Sequence, residues 1–128
     1  MTSPSSWSAW LPTLALAALL SATGSVGTAA TAMTGKELAA TIPGHTIRTK
    51  HSKSGKELVL IYSPGKQKGT YTGTYAGEPN SGTWQIKGNQ WCETWVSGAD
   101  CWLVVRVDAN TLQAYKDGKP LKHPWKIK

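Results

Sequence analysis

Glu93 and Asp100 lie close together in the sequence, interleaved with Trp91, Trp95 and Trp102 and followed by Arg106. Two carboxylates about 5 Å apart can retain configuration at a glycosidic bond, and a wider pair can invert it. Flat aromatic rings beside acceptors also suit a bound sugar ring or a cation, with no reaction at all. Cys92 and Cys101 lie within the same stretch and are the only two cysteines of the chain. They read as one disulfide, because two cysteines with no nearby His pair do not complete a zinc set. His45, His51 and His123 fall beside turn signals among lysines and read as solvated surface residues. The sequence contains no G-x-S-x-G, H-E-x-x-H, Walker loop or G-x-G-x-x-G, so no catalytic residue, metal or cofactor is assigned.

A bridge between Cys92 and Cys101 predicts a two-stranded hairpin in direct opposition. Then Trp91 faces Trp102, Glu93 faces Asp100, Thr94 faces Ala99, Trp95 faces Gly98, and Val96-Ser97 make the turn. Strand alternation sorts the side chains onto two faces. Cys101, Leu103, Val105 and Val107 share one, and their uniform apolarity assigns it to the core. The other carries Trp91, Glu93, Trp95, Asp100, Trp102 and Arg106 and is the candidate binding surface. Facing like charges cost energy, which argues against Glu93 and Asp100 sharing a packing face. Ordinary packing of the tryptophans, under a second layer such as a helix bearing Leu38, is the competing reading.

The elements that position this hairpin are mostly strands. Thr34-Gly-Lys-Glu37 is a capping box, and it opens a short helix from Gly35 to about Thr41 that Pro43-Gly44 ends. Strands are expected at His45–Lys50, Glu57–Tyr62, Gly69–Ala76, Thr83–Lys87, Gln90–Trp95, Cys101–Asp108, Leu112–Lys116 and near Leu121–Ile127. Turns are expected at Pro64-Gly65, Gly77–Gly82, Gly88-Asn89, Ser97-Gly98 and Asp117-Gly118. Short strands at such regular spacing predict a small antiparallel barrel or sandwich of about seven to eight strands, with one N-terminal helix. Thirteen Gly and no Phe suit a strongly bent sheet in which Trp and Tyr are the large residues.

The chain has 128 residues, and the first 32 carry no charged side chain. Leu11–Leu20 is an apolar run of signal-peptide length, too short to span a bilayer. Ala30-Thr31-Ala32 offers an A-x-A cleavage site, with cleavage after Ala29 or Ala30 as alternatives. The expected division is a signal peptide over 1–32 and one secreted or periplasmic β-domain over 33–128, with no transmembrane segment in the mature chain. An uncleaved anchor is the alternative, since no Lys or Arg precedes the apolar run.

Fourteen Lys and Arg stand against seven Asp and Glu, a formal charge of +7. The excess concentrates in residues 45–68 and 111–128. Lysine dominates, whereas base and phosphate readout prefers Arg. Nucleic acid is therefore not an expected partner. An anionic cell-envelope polymer or a protein is, unless the lysines serve only to keep the sheet soluble.

Thr34-Gly-Lys-Glu-Leu38, Gly73–Tyr75, Ser81-Gly-Thr-Trp84, Trp91-Cys92, the second Cys at 101 and Asp117-Gly118 together resemble a group of small secreted proteobacterial proteins. That group is known only as a domain of unknown function. The resemblance spans most of 33–128 and implies an exported β-protein with one disulfide. It supplies no catalytic residue. The expected function is thus a non-enzymatic binding module for an envelope component, polysaccharide or protein. The alternatives are a structural or stress-related envelope protein without a small ligand, and a small glycoside hydrolase using Glu93 and Asp100.

Overall fold

The computed structural model describes residues 31–128. The expected signal-peptide run, and the cleavage sites after Ala29 and Ala30, lie outside the described residues. Helix α1 spans Gly35–Thr41. Its capping box closes as the sequence predicts: Thr34 Oγ1 accepts from the Glu37 N–H, and Glu37 Oε1 accepts from the Thr34 N–H, both at 3.1 Å. These bonds hold the Glu37 carboxyl below its ordinary pKa.

The strands are β1 Thr46–Lys50, β2 Glu57–Tyr62, β3 Lys68–Tyr75, β4 Glu78–Lys87, β5 Gln90–Trp95, β6 Gly98–Asp108, β7 Thr111–Lys116, β8 Lys119–Pro120 and β9 Trp125–Ile127. All pairings are antiparallel. β1 to β6 pair in sequence order, β6 pairs with β7, β7 with β9, and β9 returns to β1. Eight strands thereby close a barrel and leave no open sheet, so the choice between barrel and sandwich falls to the barrel. β8 is a two-residue appendage hairpinned onto β7.

Two strands start well before their expected first residues: β6 at Gly98 rather than Cys101, and β4. The segment 77–82 reads as a loop because it holds two glycines and Pro79, yet β4 starts at Glu78. Ala76 and Gly77 make the turn instead, at φ 52° and 85°, the geometry of a tight hairpin. Pro79 is tolerated because β4 pairs only with β3 along 78–82, and β5 joins from Thr83 onward. A proline, having no N–H to give, can occupy such a one-sided stretch. Gly82 is required by curvature: a Cβ there would lie 2.0 Å from the Thr94 carbonyl oxygen.

The interior is filled. Trp84 and Trp91 stack at 4.9 Å, and Tyr62 meets Trp91 edge-on at 5.1 Å. Ile47, Leu60, Tyr71, Ile86, Val104, Leu112, Ala114, Trp125 and Ile127 complete the core. α1 plugs one end of the barrel with Leu38, followed by Ile42, and Met33 joins them. The Met33 N–H donates to the Val104 carbonyl at 2.7 Å, so the β-domain is already engaged at its expected first residue.

The hairpin register is the expected one, pair by pair, with Cys92 bonded to Cys101 across β5 and β6 at a Cα separation of 4.0 Å. The bridge lies on the outer wall and closes a small ring, which by chain entropy is worth about 2–3 kcal/mol. Cys92→Ala with Cys101→Ala is expected to lower stability by that amount in a urea melt. Unchanged stability would show that the barrel alone holds the hairpin.

Candidate functional site

The assignment of faces is reversed. Leu103 and Val107 are 40% and 60% exposed on the outer wall, whereas Trp91 and Glu93 are buried inside the barrel. Alternation separates two faces of a strand without saying which is inside. Here the neighbours decide. Trp84 and Ile86 on β4, and Leu112 and Ala114 on β7, face the same side as Trp91 and Val104 and close the core around them. Trp84, Trp91, Tyr62 and Tyr71 supply most of the volume of that interior. Val105 is 7% exposed even though it belongs to the outer row.

The cost of two facing acids on an inner wall is removed separately for each. Glu93 is only 6% exposed. Its Oε2 accepts from Tyr62 Oη and, at 2.9 Å, from Trp91 Nε1. Burial pushes its carboxyl above the ordinary pKa, and these two donors offset part of that rise. Burial and the nearby Glu93 charge raise the Tyr62 phenol well above its usual range and push Tyr71 up to about 12. Asp100, nearer the barrel end, is instead paired with Lys116 of β7. Its carboxylate in turn holds the Lys116 ammonium pKa above its ordinary value.

The candidate residues therefore occupy three levels. Trp91 and Glu93 lie in the sealed interior. Trp95 and Asp100 sit half-buried at the end opposite α1, while Trp102, also half-buried, packs against the core as the cross-strand partner of Trp91. Trp95 leans over Gly98, its Nε1 3.4 Å from where a Cβ would stand. Trp102 packs edge-on against Trp125 at 5.6 Å. Arg106 does not join them: it is exposed at the helix-capped end, donating to the Asp108 and Ala109 carbonyls at 3.2 Å and to Thr41 Oγ1 at 3.4 Å.

The open end also carries residues that the sequence reading did not assign to a site. Lys116 continues the inward row Leu112, Ala114 on β7, a placement alternation alone could have suggested. Tyr75 ends β3, donates or accepts at 2.6 Å with Ser54 Oγ, and meets the His51 ring edge-on at 5.5 Å. His51 is more than a solvated residue, since its Nδ1 accepts from the Lys53 and Ser54 N–H groups and orders the β1–β2 turn.

Glu93 is not placed for glycosidic chemistry. Its carboxyl is enclosed by Tyr62 and Trp91 inside a filled barrel, out of reach of a polymer chain. Among the described residues no cluster of three or more His, Cys, Asp or Glu side chains could hold a metal ion. None of their helices is long and apolar enough to cross a membrane.

Fold and site define a filled, disulfide-pinned eight-stranded barrel with one end plugged by a helix and the other lined by aromatic and charged groups. Neither the family models, nor the curated proteins, nor the solved structures give a match to this chain.

Proposed function

We propose that this protein is an extracytoplasmic, non-enzymatic binding module that engages an envelope component, a polysaccharide or a protein, at the open end of its barrel. We also propose membership of the small secreted proteobacterial group that its Gly-Thr-Trp and Trp-Cys motifs resemble. The observation that carries the binding reading is the contrast between interior and rim. Trp84, Trp91 and Tyr62 fill the space a lipocalin-like ligand would need, so a ligand has to be met at the surface. The rim holds Trp95, Tyr75 and the Asp100–Lys116 pair, a mixture of flat rings and fixed polar groups suited to sugars and to protein side chains. The disulfide and the leader-like N-terminus support export.

Trp95→Ala tests it. Retention of the purified protein on peptidoglycan, lipopolysaccharide or cell-surface protein fractions is expected to fall while the melting temperature stays unchanged, because Trp95 lies outside the packed core. Wild-type protein retained by none of the three, or a Trp95→Ala variant retained as well as wild type, would refute the rim as a binding site.

A further inference from the structure

We infer that the outer wall formed by β1 and β9 is a second binding site, for a linear anionic glycan whose carboxylates lie along the strands. This surface is separate from the barrel rim, and the inference does not rest on the rim binding anything.

Arg48 and Lys126 are direct cross-strand partners. The next pair on the same face is Thr46 with Lys128, whose backbones exchange hydrogen bonds at 2.9 and 3.0 Å. Lys50 extends the row along β1. Like charges placed opposite one another destabilise a sheet, so this arrangement costs stability until an anion occupies it. The counter-charge present is weak: the exposed Asp108 carboxylate acts on Lys126 only through solvent-screened charge, and Glu57 acts on Arg48. Glu57 lies 3.9 Å from Arg48 with both side chains about two-thirds exposed, at 66% and 64%, a separation and setting in which ion pairs contribute little. Lys126 Nζ turns to a neutral partner, Thr111 Oγ1, at 2.9 Å.

The same wall borders a concavity of about 570 Å³, lined by Thr46, Arg48, Asn110, Lys126, Ile127 and Lys128. It is open to solvent along the wall, which suits a chain lying across it better than a single enclosed ion. The backbones that carry these cations stand about 4.8 Å apart on neighbouring strands, and residues two apart along a strand about 6.8 Å. Such a ladder meets a repeating charge. The Arg48 fork can take a carboxylate bidentately, Lys126 and Lys128 supply point charge, and the Thr46 hydroxyl and Asn110 amide can bond ring hydroxyls. A single Arg and no exposed aromatic among these lining groups fits poorly with nucleic acid, whose bases require stacking or a bidentate reader.

The test measures binding of polygalacturonate to the purified protein, with neutral dextran and single-stranded DNA as comparison probes. Polygalacturonate is expected to bind at about 20 mM salt and to be released by about 0.3 M, as screening requires. Dextran is expected not to bind. Arg48→Gln with Lys126→Gln is expected to weaken polygalacturonate binding about tenfold or more at low salt. Lys66→Gln with Lys68→Gln removes the same charge elsewhere and is expected to change binding less than about twofold. Should the first pair unfold the barrel, Lys128→Gln alone reads the same wall. Absent polygalacturonate binding, equal losses in the two double variants, or equal affinity for DNA would each overturn the site. Trp95→Ala must leave this binding intact, which separates the outcome from that of the rim.

Discussion

Trp91→Ala is expected to cost about 3–5 kcal/mol, a large part of the total stability of a domain this size. The indole is fully buried, stacked on Trp84 and met edge-on by Tyr62. Its removal leaves a cavity that a closed barrel cannot collapse, because β4, β5 and β6 are pinned by their ladders and by the bridge. It also takes one of the two donors from Glu93. Trp91→Phe keeps most of the volume and is expected to retain a cooperative transition at a smaller loss. Val107→Ala, on the exposed outer row, is expected to stay within about 0.5 kcal/mol of wild type. Urea melts of the three variants measure the assignment of faces directly. A larger loss for Val107→Ala than for Trp91→Ala would mean that the aromatic row is not the inner one.

The second large effect is the pH dependence carried by Glu93. Its pKa in the folded protein is raised above the unfolded value by burial. The sign follows: the stability this group contributes is fully present below the unfolded carboxylate pKa and is lost as pH rises through the folded one. Glu93→Gln keeps an acceptor for Tyr62 and Trp91 but cannot ionise. Its stability relative to wild type is therefore expected to improve as pH rises above the unfolded carboxylate pKa and to level off above the folded one. Glu93→Leu is expected to lose about 1–3 kcal/mol for each of the two buried donors left without an acceptor. Thermal melts of wild type and Glu93→Gln across this range decide it. A difference between the two that does not vary with pH would show that folding does not raise the Glu93 pKa. Comparing variant with wild type cancels the exposed Glu37 and Asp108, whose lowered pKa values work in the opposite direction.

Both predictions turn on what the linear chain could and could not reveal. The capping box at Thr34 and Glu37, the short helix, the bounds of β2 and β5, and the register of the Cys92–Cys101 hairpin were all legible. Each is set by residues close in sequence: a cap bonds three positions away, and a two-residue turn fixes every pair of its ladder. The disulfide was legible because two cysteines in one hairpin have one partner each. The Gly77–Gly82 stretch misled because loop-like composition also describes a bent strand whose proline faces an unpaired side.

Which face of the hairpin points inward was decided only by tertiary structure. Period-two alternation is symmetric between the faces, and the apolar Leu103–Val107 row looked the more core-like until closure set the volume to be filled. Closure is non-local: β9 reaches β1 from the other end of the chain, and Tyr62 of β2 reaches Glu93 of β5 across the interior. Only then does the acid opposite Asp100 become a buried acceptor, and Asp100 the partner of Lys116. The same closure sets Lys126 beside Arg48. Types and spacing thus determined the strands and their local pairings, while the curvature that brings distant strands together decided which side chains are core, rim and wall.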